Sequence, residues 1–206
     1  INIKPKSIIL EPEGKNTAPA IALAALLTKK KQEDPGLIIL SSDHIIENPQ
    51  EFKESIIEGL HYANQDKIVT FGILPTTPET GYGYIESLDE LSREKKSSSI
   101  KKFIEKPPKE TAKKLIQDKK YTWNSGIFLF KSSVIIKELN KFSPEILNIC
   151  QKSLDNSITD LDFLRVNKKI FQNCPSISID IAVMEKTQNA TVVRLDAGWD
   201  DIGSWE

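Results

Sequence analysis

The sequence predicts an α/β fold, a mostly parallel sheet flanked by helices, and three observations carry that expectation. Short apolar runs of strand length alternate with stretches of helical period along the 206 residues. One of those runs, Leu37 to Leu40, is apolar without alternation, the pattern of a central parallel strand covered on both faces. Polar residues suited to ligands stand just past the carboxyl ends of the runs, where open α/β sheets bind their ligands.

Ser7 to Leu10 reads as the first strand. Asn16 and Thr17 can cap the helix that follows, and Pro19 is tolerated in its first turn. Residues 20 to 27 are apolar on every side, so this helix is expected to be buried against a sheet. Asp34-Pro35-Gly36 ends it and leads into the apolar strand at Leu37. Phe52, Ile56 and Leu60 recur every four residues and predict an amphipathic helix. Ile68 to Leu74 is a further strand, and the polar, serine-rich residues 89 to 99 read as a loop or hairpin tip. Strands follow at Ile100 to Ile104, Gly126 to Phe130 and Thr191 to Leu195. A helical stretch from about Ser132 to Phe171, broken near Ser143-Pro144, separates the last two. No repeat or linker divides the chain, so residues 1–206 are expected to be one domain.

Composition excludes several classes. The 28 basic and 29 acidic residues nearly cancel, so no basic field calls for nucleic acid. Lysines at 29 to 31, 119 to 120 and 168 to 169 are expected on solvated helix ends. No apolar run approaches the roughly 20 residues of a membrane span, and no partnership with a membrane is expected. Cys150 and Cys174 lack metal spacing and are too few for a disulfide framework, which suits a reducing, cytoplasmic setting. A P-loop, a GxGxxG fingerprint and a GxSxG elbow are all missing. Trp123, Trp199 and Trp205 form no grouping visible in the sequence.

Six motifs remain: EPEGKNTAPA at 11 to 20, SSDH at 41 to 44, TGYGY at 80 to 84, IEKP at 104 to 107, WNSG at 123 to 126 and GWDDIGSW at 198 to 205. Asp43 leaves an apolar strand, and a carboxylate there suits Mg²⁺, which takes few protein oxygens and fills its shell with water and phosphate; alternatively it caps a turn. Asp200 or Asp201 could supply a second carboxylate for phosphoryl chemistry. Lys106 can neutralise phosphate oxygens and Glu105 can accept from sugar hydroxyls, or the two form a surface ion pair. The glycines of TGYGY allow backbone to approach a ligand or make a hairpin turn. Asn124, placed before a strand, offers an amide to vicinal hydroxyls or caps the strand entry. Glu11 can accept from N1–H and the amino group of guanine, or cap the turn at Pro12. Asn16 lies at a helix start, where free N–H groups suit a base carbonyl or phosphate.

In this order the six motifs resemble the nucleotidyltransferase domain of the mannose-1-phosphate guanylyltransferase family, whose Rossmann-like fold is the one expected here. That family joins mannose 1-phosphate to GTP, giving GDP-mannose and pyrophosphate. The resemblance implies that Asp43 and Asp201 hold Mg²⁺, with Asp201 preferred over Asp200 because it precedes the Ile-Gly step. It implies that Lys106 binds the sugar phosphate and that Glu105, Asn124 and the Gly83 backbone bind the hexose. Glu11 and Asn16 would meet the nucleotide; related pyrimidine-nucleotide enzymes tend to carry Gln at the position of Glu11.

The family opens with a strand and a basic, Gly-rich loop that holds the triphosphate, and nothing in this sequence corresponds to them. Ile1 is not an initiator Met and the chain stops one residue after Trp205, so it reads as cut at both ends, and it is expected to be inactive by itself and aggregation-prone. Two alternatives stay open, a non-catalytic nucleotide-sugar binding module and a nucleotidyltransferase for another hexose 1-phosphate. Homo-oligomerisation is open as well. A glycosyltransferase is disfavoured, because SSDH lacks an Asp-x-Asp.

Overall fold

The computed structural model describes residues 4–30 and 34–202. Lys31, of the first lysine cluster, and Gly203, Ser204 and Trp205, of the last motif, lie outside the described residues. In chain order the strands are β1 (Ile8–Leu10), β2 (Gly36–Ile39), β3 (His44–Ile46), β4 (Ile68–Ile73), β5 (Tyr84–Ser87) and β6 (Ser97–Ile104). They continue with β7 (Tyr121–Lys131), β8 (Ile158–Asp160), β9 (Phe163–Arg165), β10 (Ala190–Arg194) and β11 (Trp199–Asp201). The helices are α1 (Thr17–Lys30), α2 (Pro49–Ala63), α3 (Lys109–Leu115), α4 (Ser132–Phe142), α5 (Pro144–Asp155) and α6 (Lys168–Phe171). A π-helical turn covers Asp180–Met184.

Two compact units make up the chain, one of Ile1–Pro35 with Ile135–Lys186 and the other of Gly36–Val134 with Thr187–Glu206. In the first, α1 packs on α5, as its apolar circumference requires, and Ala18, Ile21, Ala22, Leu23 and Ala25 are buried. The Asn16 side chain accepts from the Thr17 N–H (2.8 Å), and Asn16 itself adopts φ +67° to turn the chain into the helix. Strand β1 pairs parallel with β9, which pairs antiparallel with β8, in a three-stranded sheet. The expected break at Ser143-Pro144 is present, with Pro144 opening α5. The β8–β9 hairpin instead interrupts the long helical stretch, turning at Leu161 with φ +54°. Three-residue strands are too short to show a period of two against a helical background.

The second unit is built on a six-stranded sheet in the order β2-β7-β4-β10-β6-β5, with β5 also reaching β7. Asn48 caps α2, accepting from the Gln50 and Glu51 N–H groups (both 3.2 Å). That fixes the face on which Phe52 and Ile56 pack over Val69, Phe71, Ile127, Leu129 and Val193.

The α/β class holds, but the sheet is mixed rather than mostly parallel. Within the six strands only β4 and β10 run parallel. Leu37 to Leu40 is not central among the described residues: there β2 pairs with antiparallel β7 alone, and Ile38 and Leu40 are 36% and 54% exposed. A run of four apolar residues cannot distinguish a covered strand from an edge. The serine-rich segment is likewise part strand, since Ser97 to Ser99 pair with Val193 to Thr191 and Ser98 is buried. Nor does Asn124 precede its strand; it lies inside the 11-residue β7.

Candidate functional site

In the second unit, β7 carries an irregularity that sets Asn124. From Thr70 to Gly72, β4 advances two residues while its partner retreats from Phe128 to Asn124, four residues. Such a bulge re-aims the side chains beside it. The Thr70 hydroxyl lies 2.8 Å from Asn124 Oδ1, within a hydrogen bond, and 3.0 Å from the Ile127 carbonyl. Asn124 is 8% exposed, and its own N–H donates to the Gly83 carbonyl (2.8 Å).

Gly83 enters β5 beside Glu105. A Cβ at Gly83 would stand 2.9 Å from Glu105 Oε2 and 3.0 Å from Phe103 Cζ, so this position leaves space only for hydrogen. Lys106 follows Glu105 beyond the end of β6 with φ +41°, and its Nζ lies 3.8 Å from Glu105 Oε1. The Lys106 side chain is 62% exposed and that of Glu105 20%. Gly83, Glu105, Lys106 and Asn124 thus form one cluster, with the lysine at its open side.

A second cluster stands on a small sheet that was not legible in the sequence. Strands β3 and β11 pair antiparallel, with Asp201 opposite His44, and the Ile202 N–H donates to the Asp43 carbonyl (3.1 Å). Asp201 therefore sits in a strand rather than past one. Asp43, His44 and Asp201 each offer a donor atom within 4.8 Å of the other two. Two carboxylates and an imidazole fit a divalent cation. Asp200 is the middle residue of β11, opposite Ile45, on the other side of the pleat from Asp201.

Tyr82 joins the clusters. Its ring meets Trp123 and Trp199 edge-on, each 5.4 Å between centroids, and Trp199 meets His44 at 5.2 Å. Burial, then the charges of Asp201 and Asp200, push the Tyr82 hydroxyl pKa up. These aromatic residues are grouped only by the fold, because Tyr82, Trp123 and Trp199 lie in three distant motifs. His44 was missed as a donor for the same reason, although its place beside Asp43 was a local signal.

The first unit holds Glu11 and Asn16. Glu11 Oε1 is buried without a hydrogen-bond partner, and burial raises the carboxyl pKa. The hydrogen bond shared by Cys150 and Cys174, then burial, pushes the Cys150 thiol up, and the same bond holds Cys174 below its ordinary value. Lys15 is tethered to the Gln172 carbonyl and to Glu13, both at 3.0 Å. Both cysteines are free and buried.

Residues 3–206 match the family of nucleotidyl transferases. The chain belongs to that family. As a nucleotidyl transferase it is 49% identical over 208 residues to mannose-1-phosphate guanylyltransferase 2 of Escherichia coli O157:H7, covering 97% of this chain and 43% of that protein. It is 47% identical over 205 residues to xanthan biosynthesis protein XanB of Xanthomonas campestris pv. campestris, covering 100% of this chain and 43% of that one. The chain therefore spans less than half the length of these curated relatives. Its fold matches a crystal structure of mannose-6-phosphate isomerase from Helicobacter pylori at TM-score 0.85 and 34% identity, over 94% of this chain and 74% of that one. The nucleotidyltransferase fold expected from the motifs is the fold observed. Among the described residues no helix is long and apolar enough to cross a membrane.

Proposed function

We propose that this chain carries the transfer site of a mannose-1-phosphate guanylyltransferase. A phosphate oxygen of mannose 1-phosphate attacks the α-phosphorus of GTP, a P–O bond forms, and the α–β bridging bond breaks to release pyrophosphate. Such a step relies on positioning and charge neutralisation. Glu105 accepts hydrogen bonds from hexose hydroxyls, the Gly83 backbone lies against the ring, and Asn124 is held by Thr70 in one orientation to meet a hydroxyl. Lys106 neutralises the sugar phosphate from the open side of the cluster. Glu11 reads guanine with its buried oxygen, and Asn16 meets the nucleotide at the start of α1. Mg²⁺ held by Asp43 and Asp201 would supply positive charge at the phosphate oxygens.

The observation that carries this reading is the chain of ring contacts from Trp123 through Tyr82 and Trp199 to His44. It joins a cluster suited to a sugar phosphate with one suited to a cation, as transfer to a phosphorus centre requires. The name of a relative, mannose-1-phosphate guanylyltransferase 2, supports mannose 1-phosphate and a guanine nucleotide as the substrates of this reading. Calorimetry of GDP-mannose with Mg²⁺ tests it. The chain should bind GDP-mannose more tightly than ADP-glucose, and Asp43→Asn or Asp201→Asn should lose the metal-dependent part. Equal affinity for both nucleotide sugars would reject the guanylyl reading.

A further inference from the structure

We propose that the second unit holds a further binding site, for a small sugar phosphate, in a cavity of about 520 Å³ bounded by the start of α2, the end of β10 and the loop before β6. None of the lining residues belongs to the cluster of Gly83, Glu105, Lys106 and Asn124 or to the Asp43 and Asp201 pair. The volume falls in the roughly 300–1,000 Å³ range of small-molecule sites.

The cavity is bipolar. Arg93 and Lys96 line it from the loop before β6, and Glu51 and Glu54 from the first two turns of α2. Arg194 and Asp196 line it from the end of β10, where Arg194 Nη2 lies 2.8 Å from Asp196 Oδ2 and the arginine side chain is only 15% exposed. That pair neutralises itself and is held in place. The other four charges do not close on one another: among the described residues, neither Arg93 nor Lys96 forms an ion pair. Long side chains of opposite sign that line one cavity and stay apart leave room for a ligand carrying both complementary groups.

The main chain fixes the three walls relative to one another. Arg194 N–H donates to the Lys96 carbonyl (2.7 Å), and the Ser55 hydroxyl of α2 lies 3.1 Å from the Arg194 carbonyl. The loop is a closed turn as well. Ser92 Oγ accepts from the Glu94 and Lys95 N–H groups (3.1 and 3.0 Å), Ser92 N–H donates to the Lys95 carbonyl (3.0 Å), and Lys95 pairs with Asp89 at 2.8 Å. Arg93 and Lys96 are therefore presented from an ordered segment. On the α2 wall, Asn48 already occupies the Gln50 and Glu51 N–H groups, so this wall offers carboxylates and not amide donors. A guanidinium beside an ammonium suits phosphate oxygens, the first in bidentate fashion and the second as a point charge. Carboxylates accept from hydroxyls. Cations on one wall and acceptors on the other match a ligand with phosphate at one end and hydroxyls at the other.

Glucose 6-phosphate is the probe, titrated into the 206-residue chain and followed by calorimetry and phosphorus NMR. It should bind saturably, and at least about tenfold more tightly than inorganic phosphate, the scale of one or two hydrogen bonds to a charged group. The double variant Arg93→Ala, Lys96→Ala should lose at least about tenfold in affinity for both probes. Both side chains are exposed, so their truncation leaves the core intact. The double variant Glu51→Ala, Glu54→Ala should erase the advantage of glucose 6-phosphate over inorganic phosphate, and Lys106→Ala should leave both affinities unchanged. Absence of saturable binding would overturn the proposal. So would binding that survives loss of Arg93 and Lys96 but disappears in Lys106→Ala, because the probe would then occupy the sugar-phosphate cluster. Equal affinity for the two probes in the unmutated chain would reduce the cavity to an unselective anion site and reject the sugar phosphate as its ligand.

Discussion

Glu11 holds a carboxylate where burial disfavours its charge, and one oxygen finds no partner. A folded-state pKa raised above the unfolded value of 4.5 favours the protonated form in the native chain. The resulting penalty is absent below pH 4.5, grows as pH rises through the folded pKa, and is constant above it. Glu11→Gln should therefore raise the unfolding midpoint at pH 7 and leave it unchanged near pH 4. Because Glu11 is only partly buried and solvent screens it, the gain at pH 7 should be below about 1 kcal/mol. The same variant should weaken guanine preference by roughly 1–3 kcal/mol, since an amide leaves one acceptor and an unmatched donor. A stabilised chain with poorer base discrimination is the pattern of a residue kept for binding. Gly83 gives the second test at this scale. Gly83→Ala would push Glu105 and Phe103 aside, so affinity for mannose 1-phosphate should drop while affinity for the metal ion alone is retained, both read by calorimetry.

Among the elements, the β3–β11 pair bears most of the consequences, although each strand has only three residues. Gly198, which leads into β11, has φ +62°, and a Cβ there would lie 2.6 Å from Glu47 Oε2 and 2.7 Å from Glu47 Cβ. Its carbonyl accepts from Glu47 N–H (3.3 Å) and that of Ala197 from Asn48 N–H (2.9 Å), so the turn also anchors the start of α2. Gly198→Ala should cost about 1–2 kcal/mol from the left-handed backbone alone, measured by denaturant unfolding, and it should weaken metal binding by displacing Asp201. None of this pairing was legible in sequence. Asp43 and Asp201 were recognisable as candidate carboxylates, but the register that sets His44 opposite Asp201 is a long-range fact. Asn124 was placed wrongly before a strand, because the bulge in β7 lets a strand continue through Ser125-Gly126. The place of Glu105 and Lys106 was legible, since Pro107-Pro108 ends β6 where the sequence says a strand must end.

At the scale of the whole molecule, the α/β class was legible because strands and helices alternate in length and period. Strand direction was not, since an apolar run reports burial and nothing about its neighbour's polarity. That is why β2 was expected at the centre and stands at an edge with Ile38 and Leu40 partly exposed. The division into two units was also illegible, because α4 carries the chain from one to the other without a linker. The central claim is that a cation site on β3–β11 and a sugar-phosphate site at Glu105 act together. The most direct measurement is a crystal structure of the chain grown with GDP-mannose and Co²⁺, with anomalous scattering recorded at the cobalt edge. With Co²⁺ standing in for Mg²⁺, the account predicts one strong peak bonded to Asp43 and Asp201 and touching a phosphate oxygen, with hexose hydroxyls on Glu105 and Asn124. A cobalt peak elsewhere, or a hexose bound away from Glu105 while that peak is present, would contradict it.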